Sequence, residues 1–109
     1  MPEMPGTEVS VQPVVPPNLT KVSSDDFGVA MGPSFTVQDA YIGWIDIREK
    51  VGALLIGLEP ILAPDASGNF HIVAGPIKAM AQAESICGHI TRAGMQCLPM
   101  RYSGYVMPQ

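Results

Sequence analysis

Residues with reactive side chains are few in this sequence, and their spacing suits little catalysis. His71 and His89 stand far apart, and the ten Asp and Glu residues are scattered along the chain. None of these acids pairs with a base at a spacing that general acid–base chemistry would use. No Gly-x-Ser-x-Gly elbow and no phosphate-cradling glycine loop occurs. His71 lacks a second ligand at metal spacing, and Cys87 and Cys97 match neither a zinc set nor a Cys-x-x-Cys redox pair. A non-enzymatic protein without cofactor or metal is therefore expected. The two cysteines admit a different chemistry. A helix ending near Arg92 rises about 7–8 Å from Cys87 at 1.5 Å per residue. A strand leaving Gly94 returns about 10 Å by Cys97 at 3.3 Å per residue. The side chains would then lie nearly abreast, which makes a Cys87–Cys97 disulfide feasible; two buried thiols packing as small apolar groups are the alternative.

The elements that would position these residues follow from pattern. Phe27, Val29 and Met31 alternate on one face of a first strand, which Gly32-Pro33 breaks. Val37, Ala40, Tyr41, Trp44, Ile47 and Val51 recur at steps of three and four, with Thr36 and Asp39 at the start and Gly52 at the end. That is a capped helix with Trp44 in its packed stripe. Leu58–Ala63 reads as a second strand, kept to an edge by Pro60. The turn cluster 65–69 leads into a third strand, Phe70–Ala74, ended by Gly75-Pro76. A second helix is expected from Lys78 to Arg92, closed by Ala93-Gly94, and a last strand from Met95 to Tyr102. The order is β-α-β-β-α-β. It predicts an α+β, ferredoxin-like (RNP-like) fold: a four-stranded antiparallel sheet with both helices on one face. The other face would be bare.

The chain ends differ in composition from this middle. Five of the eleven prolines lie in the first twenty residues, so 1–22 reads as a Pro-rich linker, 23–103 as the domain and 104–109 as a loose tail. At 109 residues there is room for one core. Six basic against ten acidic residues give a formal charge of −4, which argues against a phosphate-backbone binder. No apolar run of about 18 residues exists, so no membrane insertion by this segment is expected, and no secretory signal is visible.

The middle of the chain resembles the SPOR domain family. One half is similar through Phe27-Gly-Val-Ala-Met-Gly32, the helix carrying Trp44, and Ala53-Leu-Leu-Ile-Gly-Leu-Glu-Pro60. The other half is similar through Phe70-His-Ile-Val-Ala-Gly-Pro76 and the stretch from Ala83 to Cys97. The likeness runs from about residue 26 to 102, and its most telling element is the Val-Ala-Gly-Pro turn before the second helix. SPOR domains are small bacterial envelope modules that bind peptidoglycan glycan strands lacking stem peptides, which accumulate at the division septum. The resemblance implies a non-catalytic, monomeric glycan-binding module in the periplasm or cell envelope. Its anchor or export signal would come from a parent protein, outside this chain. Ala30 stands where many members carry a Gln that points to the ligand.

Strand parity names the candidate ligand face. If Val29 and Met31 face the helices, then Ala30, Ile61, His71, Val73, Gln96, Leu98, Met100 and Tyr102 face away from them. Ser34 lies at the end of the first strand. Apolar residues would take the C–H faces of pyranose rings, and Ser34, His71, Gln96 and Tyr102 their polar groups. Two further readings remain at this point. RNA-recognition domains share the element order, but they place stacking aromatics where this chain has Ala30, His71 and Val73. A protein-interaction or regulatory small-molecule-binding domain fits the same architecture.

Overall fold

A computed structural model describes residues 19–107. Strand β1 (Lys21–Phe35) leads into helix α1 (Val37–Val51) and a single 3₁₀ turn at Gly52–Leu54. Strands β2 (Glu59–Pro64) and β3 (Phe70–Ile77) form a hairpin, followed by α2 (Met80–Arg92) and β4 (Cys97–Val106). The α+β fold with a four-stranded antiparallel sheet and two helices is the one expected from the sequence.

Local chemistry sets the helix ends. The Thr36 hydroxyl accepts from the backbone N–H of Asp39 at 3.2 Å, satisfying a donor that the first turn of α1 would leave unpaired. Ala40, Trp44, Ile47 and Val51 then bury the apolar stripe, and Trp44 is core as its spacing predicts. Helix α2 starts at Met80, two residues later than the pattern suggested, and buries Ala83, Cys87 and Ile90. It closes through Gly94, whose positive φ of 97° lets the chain turn back into β4.

Both helices pack on one face of the sheet, against Val29, Met31, Leu62, Phe70, Ile72 and Ala74. The strand parity expected from alternation therefore holds. Neighbouring strands run β4-β1-β3-β2, and Ile61 and Leu62 of β2 also pair with Val106 and Tyr105 of β4. That last pairing closes the sheet into a barrel and leaves neither β2 nor β4 with a fully open edge.

Closure corrects several expected boundaries. The last strand does not end at Tyr102 with residues 104–109 loose. It continues to Val106, and Met107 is buried in the main core. Residues 108–109 lie outside the described residues. The domain likewise begins before residue 23: Lys21 and Val22 pair with Tyr105 and Gly104, and Thr20 O accepts from Val106 N at 2.7 Å. The rest of the expected linker, residues 1–18, lies outside the described residues. Strand β3 runs through Gly75 and a cis Pro76 to Ile77, where a register shift against β1 between Phe27 and Val29 accommodates a residue without a backbone donor.

Candidate functional site

The sheet face turned away from the helices divides into a closed half and an open half. In the closed half, Ala30, Ile61, Ala63, Val73 and Tyr102 form a second small core, with Val22 and Met100 packed against it. Tyr102 is its plug. A Cβ added at Gly75 would stand 2.7 Å from the Tyr102 ring, and one at Gly28 would stand 3.2 Å from it. The ring thus lies directly on two glycines. Where β4 crosses β2, a side chain at Gly104 would run into the Leu62 carbonyl. The Tyr102 hydroxyl donates to the Glu59 carbonyl at 3.0 Å. Burial, with the nearby Glu59 charge, pushes its pKa above the usual tyrosine value.

This closed half overturns the expectation of a front bare along its whole length. Ile61, Val73 and Tyr102 are 2%, 0% and 7% exposed, so their side chains are packed away from any ligand in this conformation. The physical reason is the continuation of β4 past Tyr102, which folds the front over on itself. Ala30 is buried too, although it still contributes to the floor of the open half.

The open half is a groove of about 290 Å³ between the start of β4 and the start of β3. Ala30, His71, Gln96, Leu98 and Met100, all expected on the ligand face, line it together with Gly32 and Cys97. Leu98 is 65% exposed, and Gln96 is also exposed. The wall from Gln96 to Leu98 is fastened from behind, because Cys97 is joined to Cys87 of α2 in a disulfide with Cα atoms 5.2 Å apart. Of the two states open to these cysteines, the bonded one is present.

A polar cluster borders the groove at His71. The β2–β3 turn is built on Asp65, whose Oδ1 accepts from Ser67 N at 2.8 Å, Ser67 Oγ at 2.6 Å and Asn69 N at 3.1 Å. Its Oδ2 accepts a short hydrogen bond from Ser34 Oγ and lies 3.8 Å from His71 Nε2. The Ser34 and Ser67 hydrogen bonds hold this carboxyl far below the usual carboxylate range, against an opposing effect of burial. Ser34 therefore spends its hydroxyl on the turn, while the exposed part of His71 faces the groove. Asp65 was not among the expected site residues. Its signal was present in the sequence as the Asp65-x-Ser67-x-Asn69 turn pattern, whose side chain bonds its own backbone.

The groove has an apolar floor, one imidazole and one amide, and the Ser34 hydroxyl at its border is bonded to the Asp65 carboxylate. Among the described residues no cluster of three or more His, Cys, Asp or Glu is placed to hold a metal ion. Likewise, among the described residues no helix is long and apolar enough to cross a membrane. No family model, curated protein or solved structure matches the chain.

Proposed function

We propose that this protein is a non-catalytic module that binds glycan strands of peptidoglycan through the open half of its sheet front. The supporting observation is the groove itself: exposed Leu98 and half-buried Met100 beside His71 and Gln96, on the face where the resemblance places the ligand. Pyranose rings present both C–H faces and polar substituents, and this lining offers a partner to each. Each hydrogen bond to the sugar contributes about 0.5–1.5 kcal/mol net, so binding rests on several contacts. A volume of about 290 Å³ is at the lower limit of small-molecule sites, so the groove holds a short stretch of a strand. The resemblance adds the preferred ligand, glycan lacking stem peptides. In the cell, the module would serve a larger envelope protein at the division site.

Co-sedimentation with purified sacculi tests this reading. Pelleting is expected to rise after amidase treatment strips the stem peptides, and Leu98→Glu is expected to abolish it. A wild-type soluble fraction that stays unchanged with treated sacculi would refute the reading. A labelled RNA oligomer supplies the contrast: tight binding that weakens steeply with salt would favour nucleic-acid recognition instead.

A further inference from the structure

A second cavity lies on the helix side, away from the proposed glycan groove. It measures about 640 Å³ and runs between α1 and the turn joining α2 to β4. Only Gly32 borders both cavities. Its apolar surface comes from Phe35, Ile42, Ile47 and Met95. Small residues form part of both walls. Gly43 leaves the wall of α1 without a side chain, so the Phe35 ring lies against the helix backbone: a Cβ there would stand 2.6 Å from the ring. The Ala93-Gly94 turn forms the opposite wall with almost no side chain of its own.

The walls carry charge of one predominant sign. Asp39 and Asp46 stand seven residues apart, two turns along the same face of α1. Lys50 bonds Asp46 at 3.2 Å, but among the described residues no ion pair engages Asp39. The side chain of Ile42, between the two acids, is 68% exposed. An uncompensated carboxylate beside an uncovered isoleucine presents an apolar surface with an acidic end. From Asp39 to Lys50 the helix rises about 16 Å, the length of about five extended residues.

We infer that this groove docks a short extended segment of a partner protein, with apolar side chains over Ile42 and Phe35 and a basic residue over Asp39. Charge complementarity selects a basic segment over an acidic one. Because the glycan groove lies on the other side of the sheet, the module could hold both ligands at once. That would make it an adaptor between wall and protein. The inference does not depend on glycan binding.

A nitrogen–proton NMR titration of the full chain with the blocked peptide acetyl-Arg-Leu-Val-Leu-Gly-amide tests it, with the same peptide carrying Glu in place of Arg as control. Shifts are expected along Asp39–Lys50 and Ala93–Met95, with the Arg peptide bound about threefold tighter than the Glu peptide. Asp39→Lys should reverse that preference. Ile42→Glu should weaken binding of the Arg peptide about tenfold while keeping a dispersed spectrum. The inference is overturned if neither peptide shifts these residues, if the shifts fall elsewhere, or if the Glu peptide binds as well as the Arg peptide. It is equally overturned if wild type dimerises in sedimentation equilibrium and Ile42→Glu is monomeric, since a second copy would then be the occupant.

Discussion

The two halves of the sheet front are built from the same strands with the same alternation, yet one is a core and the other a groove. What separates them is how far β4 travels. Up to Leu98 it pairs with β1 alone; by Tyr105 it has reached β2 and closed the sheet. In the closed half the inward residues meet glycines at 28, 75 and 104, which let backbone and ring approach closely. In the open half no strand covers Leu98, which stays in water. An apolar outward residue on a strand therefore does not by itself mark a binding surface. Its meaning depends on whether another strand of the same chain covers it.

The sharpest way to break this contrast is Tyr102→Ala. Removing the plug should destabilise the domain by about 3–5 kcal/mol, the range for a buried aromatic, measured by denaturant unfolding. A loss under about 1 kcal/mol would mean that the closed half is not a core. Tyr102→Phe should cost only about 0.5–1.5 kcal/mol, for the hydrogen bond to Glu59. Since the Tyr102 pKa is raised on folding, its contribution is complete below the unfolded value near 10 and is lost as pH rises through the higher folded value.

Behind the open half, replacing both Cys87 and Cys97 with Ala should cost about 2.5–3 kcal/mol on the chain-entropy account of a ten-residue loop. Oxidised wild type and the double variant are compared in the same unfolding experiment, and equal midpoints would show that the link contributes nothing. Next in size is Asp65→Asn, expected to cost about 1–2 kcal/mol at neutral pH through weakened turn hydrogen bonds. The folded-state pKa of Asp65 is depressed, so its contribution is present above the ordinary value of 3.8 and declines as pH falls below it. Stability curves for wild type and Asp65→Asn should accordingly converge in acid, and parallel curves would contradict the role given to Asp65. The smallest effect on stability belongs to Leu98→Glu, within about 0.5 kcal/mol because the side chain is already in water. The matching change in the closed half, Val73→Glu, places a charge in a packed core and should prevent folding.

Much of the architecture was legible because it rests on local rules. The step of three and four from Val37 to Val51, the Thr36 cap and the alternation in Phe70–Ala74 each act within a few residues. The geometry of a helix returning through a tight glycine turn was enough to bring Cys87 abreast of Cys97. Closure was not legible in that way. It depends on Tyr105 and Val106 meeting Leu62 and Ile61 across more than forty residues, and no local pattern in Ser103–Val106 announces such a partner. Gly28 and Gly75 were its trace, each an outward strand position left without a side chain beneath Tyr102. The same non-local origin explains the candidate site. Its parity was readable, but which outward residues stay exposed depended on the crossing of β4. The acceptor of the Ser34 hydroxyl was equally hidden, because it lies 31 residues away on Asp65.

Mapping stem-peptide-free glycan oligomers onto the protein by amide chemical-shift perturbation tests glycan recognition by the open half most directly. Shifts should concentrate at His71, Gln96, Leu98 and Met100 and leave Ile61 and Val73 unmoved. Saturating glycan that perturbs no residue of the groove, or that shifts the closed half instead, would contradict it.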